Sequence, residues 1–210
     1  MVSNLLNELM HIYLQEYTGK TNAESQSHKL LISQIPVELK KVVDPLVTSV
    51  FDSADLTPQD ILVVGSEGKA KATQNPWVCI YDKKITTTAQ QGIYIAILYK
   101  MDMSGFYLAL NQGITYFKEN CRDNGGPYKN ANFVANYFRS KLQLGSFADK
   151  IDLGNKKGTR GYGYEQTTVL SKLFVKDHFT EEDFVSSLKE LLLKFRQIVL
   201  AIGSYKYSVA

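Results

Sequence analysis

Asp60, Glu67 and Lys69 have the residue types and order of a metal-dependent nuclease, an acid followed downstream by a Glu-x-Lys pair. That chemistry needs carboxylates converging on a divalent ion, with a lysine helping to orient water. Glu67 and Lys69 flank Gly68 in what reads as a turn rather than a strand, where solvated loop charges are the simpler reading. A nuclease built on Asp60, Glu67 and Lys69 therefore stands as the competing enzyme hypothesis. The run Gly65-Ser66-Glu67-Gly68-Lys69 superficially resembles a phosphate-binding loop, but the spacing G-x-x-x-x-G-K-[ST] is absent. His11, His28 and His178 are scattered singly, neither Cys79 nor Cys121 has a partner at ligand spacing, and no Gly-x-Ser-x-Gly elbow occurs. The expectation is a domain with no catalysis of its own, no metal and no cofactor.

What remains is a concentration of cations and aromatics in loops beside apolar runs. Lys69 and Lys71 precede Trp77, the only tryptophan; Lys83 and Lys84 follow that run, and Lys100 follows Leu98-Tyr99. Lys156, Lys157 and Arg160 lead into Gly161-Tyr162-Gly163-Tyr164. Cations contact phosphates while aromatic planes hold unstacked bases, so the mixture suits nucleic acid. Basic loops also serve solubility alone, which leaves a protein-interaction module, docking another subunit on an apolar sheet face, as a third reading.

These residues need a frame to position them. Leu5, Leu6, Leu9, Met10, Tyr13 and Leu14 recur at helical spacing and predict an amphipathic opening helix that ends near Gly19. Pro36 and Pro45 are expected to break the next apolar segment into short helices or turns. From Asp60 the texture changes to short runs rich in β-branched and aromatic residues. Residues 93–99 and 106–110 predict a hairpin, and by parity Ile93, Ile95, Ile97 and Tyr99 lie opposite Tyr94, Ala96 and Leu98. Such a strand is either covered on both sides or keeps one face for a partner. Residues 114–121 and 131–142 read as helices split by a turn at 123–127, residues 144–164 as a long glycine-rich loop, and 166–174 as a further strand. A final helix is capped by Thr180, carries Glu181, Glu182 and Asp183 at its positive end, and is closed by Gly203. The fold class expected is α+β (mixed α/β), one central and largely antiparallel sheet flanked by N-terminal and C-terminal helices, in a single domain over 1–210.

The 210 residues carry 24 Lys+Arg against 21 Asp+Glu, a formal net charge of +3, so no global field announces a polyanion and any attraction must be local. Two cysteines are too few for a disulfide framework and imply reduced thiols in a cytoplasmic protein. No apolar stretch approaches the ~18–20 residues that cross a bilayer, and the first residues read as a helix rather than a signal peptide.

Several linked motifs run in one order from Gly65 to Thr115: Gly65-Ser66-Glu67-Gly68, Asn75-Pro76-Trp77-Val78, Ile85-Thr86-Thr87-Thr88-Ala89, Gly92-Ile93-Tyr94-Ile95-Ala96-Ile97-Leu98-Tyr99 and Tyr107-Leu108-Ala109-Leu110-Asn111-Gln112-Gly113. This order resembles the N-terminal, DNA-binding domain of McrB-like, modification-dependent (type IV) restriction proteins, strongly over about fifty residues and by layout over the rest. The resemblance implies double-stranded DNA with a modified base, methylated cytosine first among the candidates, read by base flipping for phage defence. Flipping needs a wedge for the vacated stack, aromatic walls for the base and polar backbone for its pairing edge. Leu98 matches the wedge, Trp77 the aromatic wall, Tyr94 a residue on the same strand face, and Tyr162 the Tyr-Gly on the far side. Ser66, Gly68, Lys69, Lys71, Tyr99, Lys100 and Arg160 complete the implied DNA-binding set. Where family members carry an aromatic after the Gly-Ser turn, this chain has Lys69-Ala70-Lys71, and no AAA+ nucleotide-binding motif occurs. The resemblance implies a larger partner assembly, an AAA+ GTPase motor in the full-length protein and a McrC-like nuclease subunit.

Overall fold

The alternation legible in Ile93–Tyr99 is the organising fact of the architecture, because both of its faces are apolar and both are covered. The computed structural model describes residues 1–69, 71–121, 126–157 and 159–201. Among the described residues five strands, β1 (Ile61–Gly68), β2 (Ala72–Asp82), β3 (Ile93–Tyr99), β4 (Gly105–Gln112) and β5 (Thr168–Val175), pair antiparallel in chain order. β3 is central, with Trp77 opposite Leu98 on one side and Leu98 opposite Tyr107 on the other.

One sheet face carries Ile61, Val78, Ile80, Ile93, Ile95, Ile97, Tyr99, Phe106, Leu108 and Leu110 into the main core. Over it lie α1 (Val2–Glu16), α2 (Gln26–Lys29), a π turn (Leu30–Gln34), α3 (Ile35–Val50) and α7 (Glu181–Ala201). Phe184, Leu188, Leu191, Leu192, Phe195, Ile198 and Val199 of α7 are its buried stripe. The Thr180 amide and hydroxyl donate to Asp183 Oδ2 at 3.2 and 2.8 Å, and the Asp183 amide returns to Thr180 Oγ1 at 3.1 Å, a reciprocal cap. Gly203 and residue 202 lie outside the described residues. Glu181 in turn accepts from the Val2 and Ser3 amides at 3.2 and 2.7 Å, satisfying the first donors of α1.

Three expectations need correction. Pro45 does not break its segment: α3 runs through it, and Pro36 follows directly on the π turn without ending the helical run. Pro45 is solvent-exposed, so the Lys41 carbonyl that it leaves unpaired can be hydrated. The loop expected over 144–164 ends early, at α6 (Arg160–Thr167), whose glycines hid it; Thr159 Oγ1 accepts the Tyr162 amide at 3.3 Å as its cap. Gly65–Gly68 is not a turn but the last half of β1. The helices expected over 114–121 and 131–142 are α4 (Ile114–Asn120) and α5 (Pro127–Ser140); of the turn expected between them, residues 123–125 lie outside the described residues. Among the described residues no helix is long and apolar enough to cross a membrane.

Candidate nucleic-acid interface

Strand alternation divides the Gly65-Ser66-Glu67-Gly68 motif into four separate tasks. Gly65 faces the helical layer at a close backbone approach: a Cβ there would stand 1.8 Å from the Leu31 carbonyl oxygen in the π turn. Ser66 points to the opposite face, beside Trp77. Glu67 points back again and is buried, with Oε1 2.7 Å from His28 Nδ1. Gly68 takes φ +102° to turn the chain, and a Cβ there would meet the Lys71 carbonyl oxygen at 2.2 Å.

On the second sheet face the register lays down three rows. Ser66, Trp77, Leu98 and Tyr107 form the first, and Val64, Cys79, Ala96 and Ala109 the second. Leu62, Tyr81, Tyr94 and Asn111 form the third, with the Tyr81 and Tyr94 rings edge-on at 5.5 Å. The middle row is a trough of small side chains between two bulky ones, with Cys79, Ala96 and Ala109 buried and only Val64 half-buried. A crossing segment covers part of it: Ala148 bridges Ser171, Ser171 Oγ donates to the Lys150 carbonyl at 2.7 Å, and the Met101 amide donates to the Leu153 carbonyl at 2.9 Å. Leu153 is buried on the trough with half-buried Ile151 and Tyr164 packed alongside. Leu62, Val64, Ser66 and Trp77 are left half-buried along the β1–β2 side.

The trough is electrically neutral. Burial pushes the Cys79 thiol up to about 12. Burial, reinforced by neighbouring groups including the Tyr164 phenol, drives the Tyr81 and Tyr94 phenols well above their ordinary range. Tyr94 Oη donates to the Ala89 carbonyl at 3.0 Å. An apolar, uncharged surface with aromatic edges accepts a planar uncharged ring far better than an ion.

Asn75 of the Asn-Pro-Trp run ties the open end together. Its Nδ2 donates to the Tyr99 carbonyl at 3.1 Å and the Leu153 carbonyl at 3.2 Å, joining β2, β3 and the crossing segment. Asn75→Ala should cost about 1–3 kcal/mol, read as a lowered urea midpoint, and should speed proteolysis within residues 151–157.

The cations separate into two groups. Lys69 and Lys71 in the β1–β2 turn, Lys100 after β3, and Lys156 and Lys157 shortly after Leu153 lie toward the same end of the sheet. Lys20 joins them, since the preceding Gly19 carbonyl accepts the Ala72 amide at 3.2 Å; nothing in the local sequence marked it. Asp102, 3.8 Å from Lys100, and Asp152 share this end. Lys83 and Lys84 are at the other end of β2, where Lys84 pairs with Asp60 at 3.1 Å.

Several expected site residues move. Leu98 is 1% exposed in the central strand and cannot leave the protein as a wedge; it is the floor beside Trp77. Tyr94 shares that face but is enclosed. Tyr99 faces the helical layer, its ring 5.6 Å from Phe106, because odd positions of β3 turn that way. Tyr162 packs against Tyr128 at 5.7 Å, and Tyr164, two residues on, is the aromatic that reaches the trough. The Arg160 side chain lies outside the described residues. Asp60 and Glu67 occupy opposite ends of β1, about 23 Å apart at strand rise, and each has a cationic or histidine partner of its own. The nuclease constellation therefore does not converge. Nor is Glu67 a solvated loop charge. Among the described residues no group of three or more His, Cys, Asp or Glu is placed to hold a metal ion.

A family profile described as "MrcB-like, N-terminal domain" matches residues 8–200, which span every strand and the whole trough. No curated protein matches the chain.

Proposed function

The chain belongs to the MrcB-like N-terminal domain family, and from that premise we propose that it is a non-catalytic reader of double-stranded DNA carrying a modified base. The base is rotated out of the duplex and held on the second sheet face, with methylated cytosine the first candidate. The observation that carries this reading is the half-buried Trp77, at the edge of a neutral trough and at the same end of the sheet as Lys69, Lys71, Lys100, Lys156 and Lys157. A flipped base needs an aromatic plane against a pocket that excludes charge, while the flanking phosphates need cations at the rim. Trp77 and Tyr164 are the aromatic partners, Leu98 and Cys79 the floor, and Ser66 a hydroxyl at the lip. In a longer protein, the reader would act with an AAA+ motor and a separate nuclease subunit.

The test is a binding panel of otherwise identical duplexes that are unmodified or carry 5-methylcytosine, 5-hydroxymethylcytosine, N4-methylcytosine or N6-methyladenine. Preference for one modified duplex supports the reading; no binding to any duplex at low salt rejects it and favours the protein-interaction alternative. Metal-dependent nicking of a plasmid, lost in Glu67→Gln, would overturn the non-catalytic assignment.

The rim lysines should act differently from the pocket. The double variant Lys69→Ala/Lys71→Ala should lower the slope of log K against log salt by about 1.8, near 0.9 per lost phosphate contact. Base preference should stay unchanged, because phosphate contacts carry no sequence information. A changed preference with an unchanged slope would place these lysines on the base instead.

A further inference from the structure

Glu67, singled out in the sequence as a nuclease acid, is buried beneath the turn that carries Lys69 and Lys71, and its partner comes from the helical layer. Four contacts reach this turn from behind. His28 Nδ1 lies 2.7 Å from Glu67 Oε1, and Tyr13 Oη donates to the Thr73 carbonyl at 2.6 Å. Tyr17 Oη donates to the Ala72 carbonyl at 3.3 Å, and the Ala72 amide donates to the Gly19 carbonyl at 3.2 Å. The contacts fall on both strands that enter the turn, Glu67 on β1 and residues 72–73 on β2. His28 is itself held: its amide donates to Ser25 Oγ at 3.2 Å, and Glu16 of α1 accepts the Ser27 amide at 2.7 Å. Burial and the neighbouring Glu67 push the Tyr13 phenol up, so it remains a neutral donor to Thr73.

We infer that the Glu67–His28 pair, backed by Tyr13 and Tyr17, is a positioning device that fixes the Lys69/Lys71 turn for contact with DNA phosphates. The inference rests on the DNA-reading proposal, and it gives the buried acid a role outside any active centre. A short turn with φ +102° at Gly68 and exposed lysines on either side of residue 70 would otherwise sample many orientations. Holding both strands from behind removes that freedom before binding, so less order is lost on contact. Glu67, His28, Tyr13 and Tyr17 touch no ligand in this scheme; they act through the lysines.

The test compares the parent chain with His28→Ala, Tyr17→Phe and Glu67→Gln by two readouts. Hydrogen exchange of the free protein over residues 68–73 reports the turn directly. The salt dependence of binding to a 5-methylcytosine duplex reports the phosphate contacts. His28→Ala should speed exchange in that segment and lower the salt slope toward that of the double lysine variant, a shift approaching 1.8. Tyr17→Phe should act in the same direction by less, and Glu67→Gln, which keeps an acceptor for His28, should preserve most of the parental behaviour. Unchanged exchange in His28→Ala overturns the inference whatever the DNA result. Faster exchange with a parental salt slope overturns it as well, because a purely structural contact would lower stability without changing the number of phosphates engaged. A parent that binds no duplex rejects the DNA-reading proposal instead, and the exchange measurement separates the two failures.

Discussion

Replacing Trp77 by alanine should abolish most of the discrimination between modified and unmodified duplex while leaving the protein folded. Stacking of an unpaired base on an aromatic side chain contributes about 1–3 kcal/mol, so affinity for the preferred duplex should fall about 5- to 150-fold. Non-specific binding rests on the rim lysines and should change little, which makes the ratio of the two affinities the quantity to measure. Trp77 is half-buried on the second face, with Ser66 and Leu98 as its cross-strand neighbours. Its truncation removes a ring at the margin of the smaller core cluster, so some stability is lost while thermal unfolding should remain cooperative. Trp77→Phe keeps a plane and should keep part of the preference. If Trp77→Ala retains the parental preference in a competition assay, the trough is not where the base is read, and the reading of the second face fails with it.

Gly65→Ala should produce the largest loss of stability of any single methyl added to the chain's Gly-Ser motif. The added Cβ would lie 1.8 Å from the Leu31 carbonyl oxygen and 2.8 Å from its carbon. Both are backbone atoms, so no side chain can rotate away. Leu31 is buried in the π turn and tied into the main core, and Gly65 sits mid-strand with Val78 opposite. Relief requires moving the helical layer off β1, beyond the ~1–3 kcal/mol of ordinary overpacking. A loss of at least about 3 kcal/mol, near 6–12 °C in Tm for a domain of this size, should appear in thermal or urea unfolding. Gly163→Ala is the control, since the nearest atoms to the position its Cβ would take, Ile114 Cγ2 and Tyr128 Oη, lie 3.9 Å away, an ordinary van der Waals contact. A Gly65→Ala variant as stable as that control would mean that the close approach of β1 to Leu31 is not maintained in solution.

Gly65 also shows why part of this molecule was readable and part was not. Its place in a Gly-Ser run suggested a turn, because glycine is the ordinary residue of turns. Glycine is equally the residue of close approach, and only the position of Leu31, thirty-four residues earlier, distinguishes the two uses. α6 was hidden in the same way: Gly161 reads as loop, yet a Cβ there would strike the Asn155 side chain at 2.2 Å. By contrast the hairpin of β3 and β4, the two faces of Ile93–Tyr99 and the Thr180 cap of α7 are local patterns, and they appear as expected.

The candidate site divides along the same line. The aromatic and basic loops, the lone tryptophan and the order of motifs from Gly65 onward are written in the chain itself, and they determined the family and the kind of ligand proposed. Alternation also determined that Leu98 and Tyr94 share one sheet face and Tyr99 the other, since successive side chains of a strand must point oppositely. What only the tertiary structure decided is which of those residues meets solvent. That depends on the segment at 148–153 crossing the second face, which encloses Leu98 and Tyr94 and leaves Trp77 at the edge. It also depends on α1 and α2 closing behind β1, which buries Glu67 against His28. Local periodicity is a property of neighbouring residues, whereas cover, pairing and exposure are set by segments far away in the chain.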